Sequence, residues 1–163
     1  MPVETVRHVC LSDLDRCYEI ETIAYEGDEA ATWEKISTRI KTWPEGFLVE
    51  EYDGEVVGFI NSGAGFDVVL SDEAFKELKG HHPAGPDVVI MSVAVHPHYQ
   101  RRGIASRLLT CFIERMKQAG KQRILLICQT RLIDMYASHG FEYRGESDSG
   151  HGGLSWHEMV LTF

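Results

Sequence analysis

Positive charge is scarce in this 163-residue sequence: 16 Lys and Arg stand against 25 Asp and Glu, a formal charge of −9. That balance argues against a nucleic-acid surface and suits a cationic partner. Long apolar runs are missing as well. None approaches the roughly 18 residues of a membrane-spanning helix, and Met1-Pro2-Val3-Glu4 has no signal-peptide character, so no membrane partner is expected. The four cysteines, Cys10, Cys17, Cys111 and Cys128, lack paired metal-site spacing and read as reduced, mostly buried thiols of a cytoplasmic protein. There is no Walker Gly-Lys-Ser/Thr, no dinucleotide-type Gly-x-Gly-x-x-Gly, no repeat and no low-complexity tract. With 44% hydrophobic residues the chain is expected to bury one core, as a single domain over residues 1–163.

What is present concentrates around Val93-Ala94-Val95-His96-Pro97-His98-Tyr99-Gln100-Arg101-Arg102-Gly103-Ile104-Ala105. An apolar strand stops at a proline, a loop with two arginines follows, and Gly103 opens a helix. Ile104, Leu108, Phe112 and Met116 repeat at helical spacing, and Ala119-Gly120 ends the run. The free N–H groups of a helix N-terminus, aided by its dipole, bind anions. Gly103 allows close backbone approach, and small Ala105 leaves room for phosphates. Residues 98–131 hold eight of the sixteen Lys and Arg and one acid, Glu114. A solvated helix face explains part of this asymmetry, but Arg101, Arg102 and Arg107 surround the proposed phosphate loop.

Along the rest of the chain the patterns predict a strand from Val3 to Val9 and a helix capped by Ser12 that runs to Ala24. A loop carrying Glu26, Asp28 and Glu29 and a second helix from Thr32 to Thr42 follow. Asp53-Gly54 joins strands at Phe47–Tyr52 and Val56–Ser62 as a hairpin. A short helix from Ser71 to Leu78, strands at Val88–His96 and Arg123–Cys128, and a helix at Leu132–Ser138 come next. A closing pair at Phe141–Gly145 and Leu154–Leu161 completes the order. The fold class is α/β (α+β), with a mixed, mostly antiparallel sheet of about seven strands flanked by helices.

Gln100-Arg101-Arg102-Gly103-Ile104-Ala105 matches the Q/R-x-x-G-x-G/A acetyl-CoA signature, and Asp134-Met135-Tyr136-Ala137-Ser138-His139-Gly140-Phe141 matches an F/L-Y-x-x-x-G-F element. On these motifs and the element order, nearly the whole chain resembles the GCN5-related N-acetyltransferases. The resemblance implies acetyl-CoA as cosubstrate, no metal, and a small-molecule primary amine as acceptor, in a monomer or homodimer. It implies that the strands at 88–96 and 123–128 run parallel and splay, with the cofactor arm pairing along Val93, Ala94 and Val95. The pyrophosphate would lie over Gln100, Arg101, Arg102, Gly103, Ile104, Ala105 and Ser106. Tyr136 would protonate the departing thiolate; on periodicity alone it could equally be a core ring. Tyr25, Glu26, Glu29 and Met91 would face the acceptor.

Tyr18-Glu19-Ile20-Glu21, Asp28-Glu29-Ala30-Ala31-Thr32, Pro97–Arg102 and Trp156-His157-Glu158-Met159 further resemble the arylalkylamine (serotonin-type) branch. Animal enzymes of that branch carry two strand histidines that relay the substrate proton. Val89 and Met91 stand at those positions here. The proton acceptor therefore stays open among Glu29, Glu26, His81, His82, Ser92, Cys128 and water, and Glu26 and Glu29 also read as a solvated acidic loop. A covalent acetyl-Cys128 competes with a plain core thiol, and His96-x-His98 lacks the third ligand of a zinc site. Acetylation of a protein N-terminus or lysine, and a non-catalytic acetyl-CoA sensor, are the alternative functions.

Overall fold

The computed structural model describes residues 4–25, 30–68, 78, 80–147 and 156–163. The strands are β1 (Glu4–His8), β2 (Phe47–Tyr52), β3 (Glu55–Gly65), β4 (Asp87–Val95), β5 (Arg123–Gln129), β6 (Glu142–Glu146) and β7 (Trp156–Thr162). The helices are α1 (Leu14–Ala24), α2 (Trp33–Thr42), α3 (Ile104–Gln118) and α4 (Ile133–Ser138). All seven strands form one sheet in the order β1-β2-β3-β4-β5-β7-β6. The seven-stranded mixed sheet with helices on both faces is the α/β architecture that the sequence predicts. Glu26, Asp28, Glu29, the helix expected from Ser71 and the first residues of the strand expected from Leu154 lie outside the described residues.

Local chemistry accounts for these elements. Asp53 and Gly54 both have positive φ, 53° and 83°, the geometry of the tight turn whose twist suits a hairpin. Thr32 caps α2 by accepting from the Lys35 N–H at 3.2 Å. Ser12 does not cap α1. It lies within a short 3-10 turn at Leu11–Asp13, and the Asp13 carboxylate accepts from the Cys10 N–H at 2.7 Å. Arg7 holds that carboxylate with two further bonds of 2.8 and 2.9 Å. The Asp13 carboxylate thus ties the turn back to Cys10 and β1, and no side chain caps the start of α1.

The sheet carries a core on each face. On one, Ile104, Leu108, Leu109, Phe112 and Met116 of α3 pack with Leu48, Ile60, Val88, Ile90, Ile124 and Leu126. On the other, Leu14, Cys17 and Ile20 of α1 and Ile36 and Ile40 of α2 meet Phe47, Val49, Phe59 and Ala94. Gly58 lets α3 come down on the sheet: a Cβ there would lie 3.0 Å from Ile104 and 3.1 Å from the Ala94 carbonyl. No helix among the described residues is long and apolar enough to cross a membrane.

The sheet is broken in one place. β4 and β5 run parallel and pair only at Asp87–Val89 with Arg123–Leu125. Beyond that joint, β4 follows β3 and β5 follows β7, so the two strands part. Asp87 and Arg123 face each other at the closed end, bonded at 2.8 and 2.7 Å.

Candidate active site

The parting of β4 from β5 exposes backbone that a sheet would ordinarily satisfy. Residues 58–61 of β3 pair with Ser92–Val95, whereas Ser62 already pairs with Ile90, which leaves Met91 as the extra residue of a bulge. Past the bulge, the backbone groups of Val93 and Val95 face away from β3. The Tyr25 hydroxyl donates to the Val93 carbonyl at 2.9 Å, and the Val93 N–H reaches the same hydroxyl at 3.4 Å. The Gln100 side-chain amide donates to the Val95 carbonyl at 3.4 Å. Ala94, between them, turns its side chain into the α1/α2 core.

At the mouth of this opening stands the N-terminus of α3. The Arg107 N–H is the donor that bonds back to the Gly103 carbonyl, at 3.0 Å, and no side chain caps the helix. The N–H groups of Ile104, Ala105 and Ser106 precede Arg107, the first intrahelical donor, and point out of the helix end. Arg101 at φ 64° and Gly103 at φ 77° curl the loop in the manner of backbone anion nests. The Ile104 side chain is core, so only its backbone faces the loop. Arg102 lies over the Tyr99 and Tyr52 rings, 5.1 and 5.8 Å from their centres. These features fit a phosphate-bearing ligand.

Arg107 does something other than the sequence suggests. Its guanidinium forks onto the Glu50 carboxylate at 3.1 and 2.8 Å and donates to the Arg102 carbonyl at 3.1 Å. Glu50 is buried, so Arg107 neutralises an acid beneath the loop and fixes the loop backbone from below. The Ser106 hydroxyl and the His139 ring meet at 3.0 Å, joining α3 to the end of α4.

Tyr136 on α4 is buried, with its ring edge-on to Phe141 at 5.7 Å. Burial, with smaller effects from Tyr25 and Cys128 nearby, holds its phenol proton well above the usual range. Tyr136 is thus close enough to Cys128, and to the Tyr25 that bonds to Val93, for the groups to interact. Burial also pushes the Cys128 thiol up to about 11, and its Sγ lies 3.8 Å from Met159 Sδ, the environment of an inert core thiol rather than an acyl carrier.

The other proton-acceptor candidates separate by position. His81 accepts from the Ala64 N–H at 3.0 Å and packs 5.2 Å from Trp43. Ala64 is opposite Val88, five residues from Val93, or roughly 16 Å along the strand. His82 accepts from Ala84 in the same region. Ser92 is buried close to Glu21, an acid that the sequence analysis did not single out. Glu21 is 1% exposed; one carboxylate oxygen accepts from the Ala31 N–H at 2.7 Å, and the other has no hydrogen-bond partner among the described residues. Burial raises its pKa, against the pull of the Ala31 bond and of buried Arg39. Leu14, Cys17, Glu21 and Ala24 fall on one helical stripe, so an acid within an apolar stripe was the available signal. Val89 joins a small cluster with Leu125 and Val160, and Met91 is half-buried at the bulge. No three metal-ligating side chains gather among the described residues.

Comparison with known proteins bears on the family and the fold. Residues 11–141 match the family model described as Acetyltransferase (GNAT) family. The serotonin N-acetyltransferase of Mesocricetus auratus is 25% identical over 99% of this chain and 79% of its own length. The probable hydrolase YhcX of Bacillus subtilis (strain 168) is 26% identical over 63% of this chain, and the chain spans only 21% of that protein. Among solved structures, yncA of Salmonella typhimurium, a putative acetyltransferase with its cofactor acetyl-CoA, superposes with a TM-score of 0.72. That match covers 98% of this chain and 94% of the other at 21% identity, a likeness of fold.

Proposed function

The chain belongs to the Acetyltransferase (GNAT) family, and we propose that it transfers acetyl from acetyl-CoA to a small primary amine by direct attack in a ternary complex. The observation that carries this reading is the parted β4/β5 edge, with the Val93 and Val95 backbone turned into it beside the uncapped start of α3. An extended ligand arm can pair with such an edge as an added strand would, while its anionic end meets the helix N-terminus.

In this reading acetyl-CoA supplies an activated acetyl thioester. Residues 100–106 hold its pyrophosphate through backbone N–H groups, and Arg101 and Arg102 add charge. The Val93 N–H stabilises the oxygen on which charge develops when the uncharged amine attacks. Tyr136, kept protonated by burial, gives its proton to the thiolate as the C–S bond breaks. Tyr25, Met91, Glu26 and Glu29 are the residues we assign to binding the amine. Glu29 binds its ammonium form or receives its proton. The acidity of the chain outside residues 98–131 supports a cationic acceptor.

An acceptor screen tests the reading by following thiol release from acetyl-CoA with tyramine, tryptamine, spermidine, lysine and short peptides. Release that depends on one or more of the small amines is expected. Turnover confined to peptides would transfer the activity to protein acetylation, and bound acetyl-CoA without turnover on any acceptor would make the protein a sensor.

A further inference from the structure

We propose that the Tyr25 hydroxyl is a second hydrogen-bond donor to the acetyl oxygen in the transition state, beside the Val93 N–H; this rests on the acetyl-transfer reading above. A peptide carbonyl can only accept, so the Tyr25 proton points at the Val93 oxygen, 2.9 Å away. The same hydroxyl oxygen fills the acceptor position of the Val93 N–H, but at 3.4 Å, a long and weak bond. A thioester oxygen taking that N–H replaces the weaker contact and comes to rest against the hydroxyl.

The direction of the Tyr25 proton then follows the charge. While the acetyl group is intact, its oxygen and the Val93 oxygen are comparable neutral acceptors. As the amine lone pair forms the new C–N bond, the carbonyl π pair moves onto the acetyl oxygen. An anionic acceptor draws about twice the hydrogen-bond energy of a neutral one, so the hydroxyl turns to it. The pair returns as the C–S bond breaks, the thiolate takes a proton from Tyr136, and the nitrogen yields a proton to base or water. Tyr25 keeps its own proton throughout. An interaction that strengthens only with developing charge raises turnover rather than ground-state affinity.

Three features hold Tyr25 in place. Its N–H closes the end of α1 on the Glu21 carbonyl at 3.0 Å. The Glu21 carboxylate in turn fastens Ala31 at 2.7 Å, tying the two described flanks of residues 26–29 to one residue, by its carbonyl and its side chain. Buried Arg39 is near enough to interact with both Glu21 and Tyr25, and its positive charge favours negative charge arriving beside the phenol oxygen.

Tyr25→Phe keeps the ring and deletes the donor. With the amine that the wild type turns over best, kcat should fall on the order of 10²-fold, the size expected for one lost oxyanion donor. Calorimetric Kd values for acetyl-CoA and for CoA should stay within about threefold of wild type. The thermal transition, read in the same samples, should move by no more than a few degrees. A kcat within about threefold of wild type overturns the proposal, whatever KM does. So does a loss of acetyl-CoA affinity as large as the loss of turnover, which would make Tyr25 a ground-state contact. A wild-type protein that binds no acetyl-CoA fails earlier, and overturns the reading of the site itself.

Discussion

Tyr136 has two claims on its buried position, as a ring packed on Phe141 and as a hydroxyl whose proton burial holds in place. Tyr136→Phe separates them, because the ring contact survives and the proton does not. We expect acetyl-CoA binding and the melting temperature to change little while turnover drops by roughly 10²-fold. Steady-state kinetics with calorimetric binding checks this, and undiminished turnover would assign thiolate protonation to water. Arg107 calls for a different treatment. Removing it would leave the buried Glu50 carboxylate without its guanidinium, a loss of about 1–3 kcal/mol for this half-exposed pair, so lower activity in Arg107→Ala would report stability, not phosphate binding.

At the scale of elements, the joint between β4 and β5 decides whether the opening exists. Asp87 and Arg123 are register partners at its closed end, and the Arg123 hydrogen bonds hold the Asp87 carboxyl below its ordinary value of 3.8. A carboxyl depressed by folding contributes stability that is fully present above its unfolded pKa and lost as pH falls through the folded one. Asp87→Asn should therefore cost about 1–2 kcal/mol at pH 7, with the gap closing below pH 4. Thermal melts of both proteins across that range measure it; a gap that stays constant in acid would mean the loss is steric.

The strands and helices themselves were legible because their signals are local. Asp53-Gly54 dictates a turn, and Ile104, Leu108, Phe112 and Met116 dictate a face. The passage from β4 through Gly103 into α3 was legible for the same reason, since a strand, a glycine and a helix start are contiguous. What sequence could not supply were partnerships across it: Asp13 with Arg7 in place of the Ser12 cap, Arg107 with Glu50, and Tyr25 against Val93 at a separation of 68 residues. Each depends on which strand lies beside which, and one-dimensional spacing carries no such information. Glu21 is intermediate, visible as an acid in an apolar stripe but meaningless until Ala31 meets it.

For the whole molecule, charge and backbone shape divide the work. The net charge of −9 favours approach of a cation, while the excess of Lys and Arg over acids in residues 98–131 supplies the local exception a polyanion requires. Charge alone would attract many anions. In the proposed site, selection would fall to the loop backbone, where Gly103 at φ 77° adopts a conformation that a β-branched residue resists.

The central claim, that this loop and the parted strands form the acetyl-CoA site, is tested most directly by titrating acetyl-CoA calorimetrically into wild type, Gly103→Val and Gly120→Val. Gly120 has nearly the same backbone angle, φ 79°, at the opposite end of α3, and a Cβ there would meet nothing within 4 Å. Both variants therefore carry a similar local strain, on the order of 1–3 kcal/mol. At residue 103 that strain is relieved by reshaping the loop, and ligand binding must restore it, so Kd should rise roughly tenfold or more. At residue 120 it should leave Kd unchanged. Wild-type affinity in Gly103→Val, or an equal loss in both variants, would contradict the account.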